Sequence, residues 1–109
     1  MNSPAQAASA LQRYPLEALR AAVETLFTAT GMDADKARCV TESLLTADSM
    51  GHTTHGLALA PWYLEAARTG VMTITGDKTV VNQRGGCLTW NGNRLPGAWL
   101  IHQAIAGEA

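Results

Sequence analysis

Two histidines, His52 and His55, flank Thr53 and Thr54, and Gly51 and Gly56 bracket all four. They lie in the stretch Ala47 to Gly70, ADSMGHTTHGLALAPWYLEAARTG. Imidazole titrates near neutral pH, so a histidine held in place can donate or accept a proton. Glycines admit backbone angles that other residues avoid, and a helix start presents unpaired N–H groups with positive dipole character. The pattern is a helix end, a polar turn and a new helix start. His55 is the candidate for proton transfer there, or else a structural residue of the turn. Thr54 is suited either to hydrogen-bond the ring or to cap the following helix. His52, nearer the preceding helix end, suits that helix's last carbonyls.

Other chemistries fit less well. His52 and His55 form H-x-x-H, and His102 or a cysteine could complete a zinc set. Zinc-protease helices, however, place the pair four apart with a glutamate between, and structural sites favour paired Cys/His knuckles, so no metal site is expected. Neither G-x-G-x-x-G after a strand nor G-x-x-x-x-G-K-S/T is present, and Gly85-Gly86 reads as a turn. Glu42 and Asp48, on a helix with no carboxylate partner in view, read as solvated or capping groups.

The elements that must position the turn follow from periodicity. Pro15 suits a first helical turn, and Leu16, Leu19, Val23, Leu26 and Phe27 recur at three- and four-residue steps. Gly31 ends that helix, Met32 is placed to staple, and Asp33 to cap a second helix carrying Ala37, Val40, Leu44 and Ala47. The short link predicts antiparallel neighbours with a packing stripe, not a cofactor box. After the turn, Pro61 limits the third helix, whose regular part is expected from Pro61 to Arg68 with Tyr63, Leu64 and Ala67 inward and Gly70 as terminator. The period then changes. Thr79 to Gln83 and Cys87 to Trp90 read as a β-hairpin across a three-residue loop, Arg84-Gly85-Gly86. Asn91-Gly92-Asn93 is a turn, and Pro96 opens a last helix through Trp99, Leu100, Ala104 and Ile105 with little left to pack on.

Of the 109 residues, 47% are hydrophobic and 16% charged, with a net charge of −1. That is apolar enough to fold and thinly charged for a free surface, which predicts that part of it is covered, most simply in a homodimer. Scattered basic residues give no basis for nucleic-acid or anionic-membrane binding, and no apolar run approaches the ~20 residues that span a bilayer. Cys39 and Cys87 lack C-x-x-C spacing, and MNSPAQAASALQ reads as a flexible terminus, not a leader, so reduced thiols and a cytoplasmic location are expected. The organisation reads as a flexible N-terminus over 1–14, a helical region over 15–70, and the start of a mixed α/β domain over 71–109.

The run GHTTHGLALAPWYLEAARTG resembles the N-terminal signature of the type 2 malate/L-lactate dehydrogenase family, which also holds ureidoglycolate and sulfolactate dehydrogenases and piperideine-carboxylate reductases. The matching positions are Gly51, Thr54, His55, Gly56, Pro61, Tyr63 and Gly70. Downstream, Asn91-Gly92-Asn93-Arg94 is similar to the family's D-G-D-R turn, so the likeness runs from about Leu16 onward. Family members are much longer. The resemblance therefore implies a mixed α/β fold class (antiparallel helices, a β-hairpin, a final helix) that is an incomplete part of a larger dehydrogenase, with its last segment cut inside a helix. It implies an NAD(P)-dependent oxidoreductase acting on a small 2-hydroxy or 2-keto acid, with Thr54 and His55 in the active site and His55 in proton transfer at the substrate oxygen. The remaining catalytic and cofactor contacts would lie beyond Ala109, so this part alone is expected to be inactive and to bind neither NAD nor NADP. Two positions depart from the pattern: an arginine suited to a substrate carboxylate is Leu59 here, and an aromatic after D-G-D-R is replaced by Leu95-Pro96. The alternative reading is a truncated, non-catalytic binding or structural module.

Overall fold

Helical and strand periods segregate along the chain as the spacing predicts, and the fold class is mixed α/β. The computed structural model describes residues 15–52 and 55–107. The expected flexible terminus over 1–14, and Thr54, lie outside the described residues. Within them are four α-helices and one two-stranded antiparallel sheet.

Helix α1 spans Leu16–Ala29. Pro15 stands just ahead of it at φ −55°, where its missing N–H costs nothing, and its carbonyl accepts the Leu19 N–H at 3.1 Å. Only Val23 and Phe27 of its stripe are buried, while Leu16 and Leu26 are 48% and 52% exposed. The expected apolar face is thus narrower than its spacing suggested. A helix packed on one side commits a single i, i+4 row to the core, and Leu26 sits about 100° around from Phe27, outside that contact. Gly31, at φ +95°, closes the helix, and Met32 is buried in the core as the expected staple.

Helix α2, Ala34–Ser49, buries Ala37, Val40 and Leu44 of the predicted face and Leu45 beside it, while Ala47 is half-buried. The expected side-chain cap from Asp33 is not made. Asp33 still begins the helix through its carbonyl, which accepts the Ala37 N–H at 2.9 Å, but its carboxylate takes the ammonium of Lys36 at 2.9 Å and the N–H of Gly76 at 3.2 Å. A cation one turn away is a stronger partner for a carboxylate than an amide. Arg20 on α1 pairs with Glu17 and reaches across to Glu42 on α2, and these two acceptors hold its guanidinium above its ordinary range.

Helix α3, Ala60–Thr69, starts one residue before Pro61, which occupies its first turn, and ends at Gly70 in the left-handed region at φ +84°. Ala60 and Ala67 are buried; Tyr63 and Leu64 are half-buried against the same core. That core is one cluster: Val23, Phe27, Met32, Ala37, Val40, Leu44, Ala60 and Ala67.

Strand β1, Thr79–Arg84, pairs with β2, Cys87–Asn91. Arg84 pairs with Cys87, so the loop is the two residues Gly85-Gly86, one shorter than expected; Gly85 takes φ +57° as tight hairpin turns require. A bulge between Val80 and Asn82 absorbs Val81. Every hairpin residue is exposed except Trp90, which is half-buried. The Asn91–Asn93 turn is confirmed: the Asn91 side chain accepts the Asn93 N–H at 2.9 Å, while Asn93 at φ +55° donates its amide to the Asp77 carbonyl and Thr79 hydroxyl.

Helix α4, Gly97–Ile105, is better packed than its sequence suggested. Trp99 is 4% exposed, and its indole N–H donates to Asp35 at 2.8 Å. The Lys36 ammonium lies 4.1 Å from its ring centroid. On the other side, Lys78 lies 4.8 Å from the Trp90 ring and 5.7 Å from the Trp99 ring, and donates to Gln103 at 3.2 Å. Two lysines and two indoles thereby fasten α4 and the hairpin to the start of α2.

Candidate functional site: the histidine turn

Helix α2 ends in a Schellman arrangement. Gly51, at φ +82°, occupies the position that needs the left-handed region; its N–H donates to the Asp48 carbonyl at 3.0 Å, and the His52 N–H to the Ala47 carbonyl at 2.8 Å. The expectation that His52 satisfies the helix's last carbonyls is met by its backbone. The His52 carbonyl in turn accepts the His55 N–H at 2.9 Å, which closes the turn and carries the two histidines together. Both are exposed. Thr54 lies outside the described residues.

The chain then enters a 3-10 turn, Leu57–Leu59, that runs directly into α3. Its first N–H, on Leu57, donates to the carboxylate of Asp48 at 3.0 Å. Gly56 is buried beneath that carboxylate, and a Cβ there would stand 2.0 Å from Asp48 Oδ1. Asp48 is thus a cap, as one of the two readings of its sequence position held, but for the next helical segment and not its own. A carboxylate in the last turn of a helix opposes that helix's dipole, whereas at the start of the next it is favourable. A signal existed: an aspartate in the last turn of α2, followed by a glycine and a fresh apolar period.

His55 is therefore an exposed imidazole whose backbone is tied on one side to α2 and followed on the other by a capped helix start. Such a group can exchange a proton with a small molecule brought against it. His102 lies on α4, where it lines a cavity of about 460 Å³ between α2 and α4 with Cys39, Glu42 and Ile101. Leu59, at the position where the resemblance would place an arginine, is half-buried against the core and offers no charge to a carboxylate. Among the described residues no three His, Cys, Asp or Glu side chains converge on one point.

The Gly85-Gly86 pair is a hairpin turn and not a phosphate-binding one. A pyrophosphate is held by backbone N–H groups where a glycine-rich turn opens a helix, and the glycine pair here joins two antiparallel strands. No cofactor contact is assigned to this chain.

The profile of the malate/L-lactate dehydrogenase family matches residues 14–108. Hydroxycarboxylate dehydrogenase B of Escherichia coli O157:H7 is 27% identical over 94 residues, covering 86% of this chain and 26% of that protein. Malate/(S)-sulfolactate dehydrogenase of Methanothermus fervidus is 26% identical over 86 residues, covering 79% of this chain and 25% of the relative. A dehydrogenase from Sinorhizobium meliloti, known as a crystal structure, superposes with a TM-score of 0.82 at 28% identity, over 88% of this chain and 30% of that one. The chain spans about a quarter of the length of the curated relatives it matches. With nearly all of its residues inside the family profile and its fold reproduced in a solved dehydrogenase, the chain belongs to the malate/L-lactate dehydrogenase family.

Proposed function

We propose that the chain supplies the histidine turn of an NAD(P)-dependent oxidoreductase acting on a 2-hydroxy acid or its 2-keto form, and that it is inactive by itself. The observation that carries this reading is the exposed His55, fixed by backbone bonds at a capped turn in a chain of this family. Its imidazole protonates the substrate oxygen as a keto acid becomes a hydroxy acid, and takes that proton back in reverse; Thr54 stands beside it in the sequence. Leu59 supplies no cation for the substrate carboxylate, so the carboxylate is bound by other residues of the whole enzyme. Exposed Val80, Val81 and Ile101 and the open strand edges favour association into a homodimer.

The test joins this chain to the remaining three quarters of a hydroxycarboxylate dehydrogenase B. The chimera is expected to sediment as a dimer and to reduce 2-keto acids with NADH or NADPH, which the chain alone does not. His55→Ala should lower its turnover by about 10²–10⁴-fold, the usual contribution of a positioned general acid, with cofactor affinity hardly changed. Near-normal turnover of the variant at saturating keto acid would make His55 a structural residue and sink the reading.

A further inference from the structure

Asp48 holds the turn that carries His55 by three routes. Its backbone carbonyl accepts the Gly51 N–H at 3.0 Å, which fixes where α2 stops. Its side chain reaches nine residues ahead to the Leu57 N–H at 3.0 Å, which fixes where the next helical segment starts. Its carboxylate lies so close to Gly56 that only a residue without a side chain fits there, so the glycine is needed for contact and not for its φ of −98°. His55 is the residue immediately before that contact, and its own N–H is held by His52, next to the Schellman glycine.

The two backbone ends of the histidine turn are thus held by one residue, the first by its carbonyl and the second by its carboxylate, and we infer that Asp48 is the positioning residue for His55, setting the direction in which its imidazole leaves the surface. The inference rests on the proton-transfer reading of His55 for its catalytic consequence, but the clamp itself is tested without turnover. A charge-assisted bond from a backbone amide to a carboxylate is worth more than a neutral one, and removing it frees the turn while leaving the apolar core untouched.

The test is amide hydrogen exchange, read residue by residue by NMR on the 109-residue chain, comparing wild type with Asp48→Ala, Asp48→Asn and Gly56→Ala. In the wild type the Leu57 and His55 amides should be protected. Asp48→Ala should speed exchange at both by about tenfold or more, the worth of one such bond, while Leu44 in the core stays within about threefold. Asp48→Asn keeps an acceptor oxygen at the same reach, though a neutral one, and should restore part of the protection at both. Gly56→Ala should reproduce the Asp48→Ala pattern by driving the carboxylate off Leu57. The His55 ring resonances should move in Asp48→Ala and Gly56→Ala, with those of His102 fixed. Four outcomes would overturn the inference: no protection of Leu57 in the wild type, acceleration of Leu57 without His55, no rescue by Asp48→Asn, or a uniform rise at all amides that marks loss of the fold. Failure here leaves the His55→Ala result in the chimera standing, and failure there leaves the clamp standing.

Discussion

The helical region and the hairpin both carry large apolar side chains, and only the first gathers some of them into a core. Helices α1, α2 and α3 share one buried cluster, with Phe27 fully enclosed and Leu44 2% exposed. The hairpin holds Val80, Val81 and Leu88 at 43%, 63% and 42% exposure, and its bonds are those of a two-stranded ladder, a form marginal in water by itself. A helix hides its backbone polar groups internally and needs a neighbour only along one stripe, whereas a strand pair leaves two open edges and two faces to be covered. The histidine turn sits on the first kind of support. Its helices are joined by a buried cluster even though Leu16, Leu26 and Trp62 stay exposed, while the hairpin buries none of its residues.

The largest effect that separates the regions is a cavity. Phe27→Ala removes a fully buried ring from the shared cluster and should cost about 3–5 kcal/mol of unfolding free energy, whereas Val81→Ala on the hairpin should stay within about 0.5 kcal/mol. Urea denaturation followed by far-ultraviolet circular dichroism measures both. Equal losses at the two sites would mean that the hairpin is packed in solution, and the contrast drawn here would fail.

How far the sequence disclosed this contrast varies with the interaction concerned. Local rules served where one residue answers to its own neighbours: Gly31, Gly51 and Gly70 all take the left-handed angles that end their helices. The hairpin and the Asn91–Asn93 turn were legible for the same reason, with the loop miscounted because Arg84 still pairs with Cys87. Long-range choices were hidden. Leu26 has the spacing of a core residue and faces solvent, while Lys36 has the chemistry of a surface residue and is 2% exposed, because Asp33 and the Trp99 ring, sixty-odd positions away, stabilise its charge. At the histidine turn, the placing of His55 in an exposed turn between two helical segments was legible from type and spacing. The aspartate ahead of a fresh apolar period signalled a cap but not its partner, since a carboxylate's choice between water and a backbone amide nine residues on depends on how the chain folds back.

Asp33 joins the two regions, since its carboxylate binds Lys36 on α2 and the Gly76 N–H on the approach to the hairpin. The bond from Lys36, and after it that from Gly76, holds this carboxyl below its ordinary range. A carboxyl whose folded pKa is depressed stabilises the fold at every pH above the unfolded value of about 3.9, and that contribution is lost as pH falls through the folded value. The thermal midpoint should therefore decline on acidification below about pH 4. Asp33→Asn should lower the midpoint at neutral pH and make the acid decline shallower. An unchanged acid limb in a scanning-calorimetry series would show that this junction contributes nothing to the pH dependence.

The smallest expected effect compares the two regions through one atom type. Cys39 lies half-buried on α2, and burial pushes its thiol above the ordinary cysteine range; Cys87 lies exposed at the start of β2. The reactive form is the thiolate, so both the raised pKa and the restricted access slow Cys39, whereas Cys87 is open to the reagent. A disulfide reagent at pH 7.5 should modify the chain in two phases, the faster removed by Cys87→Ser and the slower by Cys39→Ser. If the chain assembles through its hairpin, the fast phase should slow as protein concentration rises, because the strand that carries Cys87 becomes covered, while the Cys39 phase holds its rate. Equal rates for both thiols at every concentration would show that α2 and β2 are equally open, contrary to the burial that distinguishes them.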